Sequence, residues 1–157
     1  MRVLALDQAK VMGYAVFDDK ELIAYGCVQF GKRGDTYETL LLPINNYINS
    51  LIETYEPELV VMEDVQQQQN ASVYKKLAML LGSVILSITQ KEMLYEIIHP
   101  TVWKSICSIR GRKRDEQKQN TIRFVEDKFN IENIDSDTAD AIAIGWAAAH
   151  NIVVKRG

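Results

Sequence analysis

The chain has 157 residues, 47% of them apolar and 25% charged, with a formal net charge of −3. That length suits one domain over residues 1–157 with room for a substantial core, and the composition is ordinary for a soluble globular protein. No apolar run reaches the roughly 20 residues that span a bilayer, and MRVLALD meets an acid too soon for a secretory signal. Cys27 and Cys107 stand in unrelated contexts without metal-ligand spacing, as reduced thiols of a cytoplasmic protein would. The net acidity argues mildly against a nucleic-acid partner, but local distribution matters more than the sum. From Lys104 to Arg123, seven cationic residues face only Asp115 and Glu116.

In chain order, Arg2 to Leu6 reads as a buried strand closing on Asp7. An acid there must be hydrogen-bonded, protonated or bound to a cation. Val11 to Asp18 and Glu21 to Phe30 read as two further strands joined by a turn at Asp18-Asp19-Lys20. Gly13 lies early in the first of these, where a missing side chain admits another group or backbone. Thr36 to Tyr55 carries apolar residues at helical spacing, with Pro43 expected to kink the helix or split off its first turn. Leu59 to Met62 is a second apolar strand that ends on an acid, Glu63.

Val65 to Asn70 is a polar connection containing four glutamines. A long helix follows from about Ala71 to Gln90, with Leu77, Leu80, Leu81, Val84, Ile85 and Ile88 on its apolar face. Tyr95 to His99 reads as a fifth strand and Thr101 to Cys107 as a short helix. Residues 108–114 form a basic loop, and helices are expected over Asp115–Phe129 and Ser136 to about Asn151. The order is an α/β class: a five-stranded mixed sheet, three antiparallel strands then parallel additions, flanked by helices.

Two apolar strands that each end on an acid suggest a site at the carboxyl edge of the sheet. The last helix adds Asp137 and Asp140, three apart and on one side of its first turns, with Asp135 or Ser136 as the N-cap. Gly145 and the alanines of this helix permit close packing on the sheet. Acids at a helix N-terminus are favoured by about 0.3–1 kcal/mol whatever their function, so the pair alone assigns no role. Together with Asp7 and Glu63, however, it makes a donor set suited to hard divalent cations, which take oxygen ligands. Two such ions roughly 3.5–4 Å apart serve phosphodiester hydrolysis. The lack of histidine pairs and cysteine clusters argues against zinc.

The segments LALDQAKVMGYAVF, VVMEDV, NASVYKKLAMLLG, HPTVWK and DSDTADAIAIGWAAAH, in that order, resemble the RuvC-type Holliday-junction resolvases of the ribonuclease H-like superfamily. The resemblance implies a ribonuclease H-like fold in which Asp7, Glu63, Asp137 and Asp140 form a catalytic tetrad holding Mg²⁺ or Mn²⁺, two per site, with Asp7 bridging. It implies that Lys104 and Lys118 act at the scissile phosphate. It further implies a homodimer through the helix from Ala71, acting on four-way and other branched DNA in a bacterial cell or phage-infected host.

The chain departs from the family at Gln8-Ala9, where Pro-Gly is common, and at Gln66, where many members carry an aromatic residue. Gln66 offers no stacking face, so relaxed junction specificity is expected, as in phage-encoded relatives. Arg110, Arg112, Lys113 and Arg114 are candidates for tracking phosphates, with strong salt dependence. Lys75 and Lys76, beside Tyr74, are further DNA-binding candidates. Trp103 and Trp146 read as core residues, and His99 and His150 as structural. The rival readings are a same-fold nuclease acting on structured RNA, a junction-binding scaffold without catalysis, and an actin-like nucleotide-binding fold, against which the missing glycine-rich phosphate loop speaks.

Overall fold

The computed structural model describes residues 1–67 and 70–156, with residues 152–156 as backbone only. Gln68 and Gln69 of the polar connection, and Gly157, lie outside the described residues. The elements are β1 (Arg2–Asp7), β2 (Val11–Asp18), β3 (Glu21–Gln29), α1 (Tyr37–Tyr55), β4 (Leu59–Glu63), α2 (Ala71–Gln90), β5 (Leu94–Ile98), α3 (Pro100–Ile106), α4 (Arg114–Phe129) and α5 (Ser136–Arg156).

The strands form one sheet in the order β3-β2-β1-β4-β5. β1, β2 and β3 pair antiparallel, and β4 and β5 add in parallel beside β1. β1 and β4 are therefore central, and each is buried over most of its length. Strand alternation sorts their side chains into two layers. Leu4, Leu6, Val60 and Met62 join Ile44 and Ile48 of α1 and Val84 and Ile88 of α2. Val3, Ala5, Leu59 and Val61 face Ala139, Ile142 and Ala143 of α5, with Trp103 and Val125 behind.

Three expectations need correction. Pro43 does not split off a first turn of α1, which runs unbroken from Tyr37 to Tyr55. The N–H that Pro43 lacks would have reached the carbonyl of Thr39, and both residues are exposed, so water can take its place. β5 is Leu94–Ile98, one residue earlier than expected, because His99 instead caps α3. α5 continues past Asn151 to Arg156. By length and composition α2 could cross a membrane, yet Leu80, Leu81, Val84 and Ile88 are buried in the sheet-facing core.

α5 lies close on the sheet because the residues between them are small. A Cβ on Gly145 would come within 2.6 Å of the Phe17 ring, and one on Gly13 would sit 2.0 Å from the Asp137 carbonyl oxygen. The second contact sets the height of the α5 N-terminus over the end of β1. Gly13→Ala is expected to destabilise the fold by about 1–3 kcal/mol, the usual range for overpacking. Its unfolding midpoint in denaturant, compared with wild type, checks this.

Candidate active site

Asp7 and Glu63 end the two central strands, which run parallel with Leu6 opposite Met62. The next residue on each is the acid, so both carboxylates leave the same sheet edge. Their alternation also matches Val3, Ala5, Leu59 and Val61, which turns both acids toward α5.

The start of α5 is fixed locally. Asp135 is the N-cap: its carboxylate accepts hydrogen bonds from the Thr138 amide at 3.0 Å and the Thr138 hydroxyl at 2.6 Å. Asp137 falls in the first turn, and Asp140 one turn on. With Asp7 and Glu63 they line a cavity of about 220 Å³, together with Gln8, Gln66, Arg114 and Lys118. An adjoining cavity of about 380 Å³ shares Glu63, Gln66, Arg114, Lys118 and Asp140, and adds Lys104 and Arg112.

Burial and mutual repulsion disfavour charge on the acids. Asp7 keeps part of its surface open but is packed densely, and its carboxyl is raised well above the ordinary range by burial, then by Asp140, Glu63 and Asp137. Asp140 is pushed up to about 7 by burial and by Glu63, with Lys104 and Lys118 opposing. Glu63 is raised by burial against the Trp103 hydrogen bond and Lys104. Asp137 is raised by burial and Asp135, with Lys118 opposing. Oxygen donors from separate elements, short of positive charge, fit a hard divalent cation. The Oε1 of Gln8, buried beside them without a hydrogen-bond partner, is a further unused acceptor.

Cationic residues line the same two cavities as the acids. The Lys104 ammonium donates to Gln117 Oε1 at 3.0 Å and lies 5.3 Å from the Trp103 ring centroid. Gln117 in turn donates to the Gly111 carbonyl at 2.9 Å, and Asn120 to the Arg110 carbonyl at 2.6 Å. The basic loop is thus pinned to α4. Arg112 and Arg114 reach the cavities, whereas Arg110 and Lys113 are exposed beside them. Lys75 and Lys76 are exposed on the first turns of α2 and line neither cavity, although the adjacent Leu77 lines the acidic one.

Several residues of the site were not singled out in the sequence. Trp103 is a core residue as expected, but its indole N–H also donates to Glu63 Oε2 at 2.7 Å. The signal was present: a buried indole needs an acceptor. Gln8, at the departure after Asp7, donates to the Glu63 carbonyl at 2.7 Å and ties the ends of β1 and β4 together. Asp64 also lines the acidic cavity, with its carboxylate accepting from the Val65 amide. Cys27, Asp135 and Asp137 place potential donor atoms within 4.8 Å of one another. Asp135 is engaged as the helix cap, and burial and the two acids push the Cys27 thiol up to about 11. His99 caps α3 through its ring and His150 bonds the Trp146 carbonyl, both structural roles.

The family model described as crossover junction endodeoxyribonuclease RuvC matches residues 3–150. The crossover junction endodeoxyribonuclease RuvC of Caldicellulosiruptor saccharolyticus is 27% identical over 151 residues, covering 92% of this chain and 89% of that protein. Thermus thermophilus RuvC, solved in complex with a Holliday junction substrate, superposes with a TM-score of 0.78 at 17% identity, over 100% of this chain and 96% of that one. Fowlpox virus resolvase, solved with Holliday junction DNA, gives 0.64 at 15% identity, over 98% and 99%. The sheet, the acid-bearing strand ends and the match over nearly the whole chain lead to one conclusion: this chain belongs to the crossover junction endodeoxyribonuclease RuvC family.

Proposed function

We propose that Asp7, Glu63, Asp137 and Asp140 hold two divalent cations, Mg²⁺ or Mn²⁺, and that the chain nicks four-way and other branched DNA by phosphodiester hydrolysis. The observation that carries this reading is the convergence of two in-register strand ends and one helix N-terminus on a single cavity. Such cations, when bound, neutralise the acid cluster and stabilise charge on the attacking and leaving oxygens.

The residues of the chain do the remaining work. Asp7, Glu63 and Asp140 converge from three elements, so their relative positions are set by the sheet and by the packing of α5. Lys104, oriented by Gln117, and Lys118 supply positive charge to the scissile phosphate within the shared cavities. Arg112 and Arg114 extend that charge along the backbone of the DNA, with Arg110 and Lys113 outside the cavities. Gln66 stands at the mouth of both cavities as a polar contact without a stacking face.

A homodimer through α2 completes the reading, because resolving a four-way junction takes two nicks. Val73, Tyr74 and Leu86 of α2 are exposed, Leu86 by 60%, while the opposite face is already in the core.

Three measurements test these points. Labelled four-way, three-way and linear DNA should be nicked with Mg²⁺ or Mn²⁺, with branched substrates preferred. Asp7→Asn and Asp140→Asn should abolish nicking while junction binding persists, and Lys104→Ala should lower the rate about 10²–10³-fold. Cleavage of structured RNA alone would contradict the assignment.

In EDTA, stability should fall as pH rises from 3.8 to about 7, because the unfolded chain releases the Asp140 proton before the folded one does. Asp140→Asn should remove that part of the loss in a pH series of thermal melts. Finally, Leu86→Glu should shift the sedimentation coefficient from dimer to monomer.

A further inference from the structure

We propose that Trp103 is a positioning residue for Glu63: its indole N–H holds one carboxylate oxygen so that the group keeps a single orientation toward the cavity. The inference rests on the reading of Glu63 as a metal ligand. Glu63 is the one member of the acid cluster with an extra methylene, and so the one with most rotamer freedom to lose. Its Oε2 accepts from Trp103 Nε1 at 2.7 Å.

Both ends of this bond are fixed independently. Glu63 pairs with Ile98 in the sheet, and the neighbouring Asp64 amide donates to the Ile98 carbonyl at 2.9 Å. His99 then caps α3 and Pro100 begins it, so Trp103 follows one turn later. The Trp103 side chain is only 1% exposed, packed among Ile98, Val125 and Ile142. The indole therefore has no room to follow a moving carboxylate, and the constraint runs from core to acid. The same ring lies beneath the Lys104 ammonium at 5.3 Å, so one buried side chain borders both an acidic and a basic group of the site. Partners of this kind around ligating carboxylates typically change metal affinity or activity about 10–100-fold when removed.

Trp103→Phe keeps an aromatic face beside Lys104 and removes the donor together with part of the ring volume, whose packing cost the unfolding assay reads separately. It should be compared with Glu63→Gln and with the double variant in three assays: Mn²⁺ titration of DNA-free protein by calorimetry, kcat and KM on a four-way junction, and thermal unfolding. Expected for Trp103→Phe is Mn²⁺ binding weakened about 10-fold or more, a lower kcat and an unchanged KM. In the Glu63→Gln background it should cause no further loss of Mn²⁺ affinity.

Mn²⁺ affinity equal to wild type in Trp103→Phe, whatever its melting temperature, would overturn the proposal. So would a full additional loss in the double variant. If Glu63→Gln itself binds Mn²⁺ and cleaves like wild type, the metal-ligand reading fails and the proposal with it. Should Trp103→Phe not fold, the wild-type indole N–H resonance of Trp103, assigned with Trp146→Phe, decides. It should shift on Mg²⁺ addition and stay fixed in Asp7→Asn; a resonance unmoved at saturating Mg²⁺ overturns the positioning role.

Discussion

Four carboxylates share one small cavity at the carboxyl edge of a buried sheet, and they cannot all be charged there without a counter-charge. At an effective dielectric near 20, two unit charges about 4 Å apart repel by roughly 4 kcal/mol. That is comparable to a large part of a domain's net stability of about 5–15 kcal/mol. Protonation is one relief, and burial raises the Asp7 and Asp140 carboxyls in that direction. Cation binding is the other, and it is the one that brings chemistry.

The rest of the architecture serves to hold that repulsion in place. Parallel pairing of β1 and β4 brings Asp7 and Glu63 to one edge in register. Alanine-rich α5 can lie close enough to deliver Asp137 and Asp140 only because Gly13 and Gly145 leave room. Asp135, next to Asp137 in space, has its carboxylate engaged by Thr138 as the helix cap. The basic part of the site is built in the same manner, with Gln117 linking Lys104 to the loop at Gly111. A charge excess that looks like a solvated loop in sequence is thereby given a fixed position.

Much of this was legible in the chain. Asp7 and Glu63 announced themselves because apolar strands rarely end on acids without reason, and Asp137 and Asp140 because their spacing shares a helix face. The five-stranded mixed sheet followed from hairpin-then-crossover order. What sequence could not resolve depended on tertiary partners. Trp103 reads as core from composition, and only the fold reveals the acceptor of its N–H. Gln8 looked like a loop variation, yet its amide ties Glu63's backbone to the end of β1. Pro43 looked like a break, but the carbonyl it leaves free is in a solvated early turn, so the helix continues. His99 reads as the end of a strand, because its capping role depends on the helix that follows.

The most direct measurement of whether the acid cluster is a cation site is a crystal structure of the protein soaked in Mn²⁺, with anomalous scattering recorded above the manganese edge. The expected result is two peaks between Asp7, Glu63, Asp137 and Asp140, both absent from Asp7→Asn crystals. An empty cluster at saturating Mn²⁺, or peaks only at surface acids such as Asp135, would contradict it.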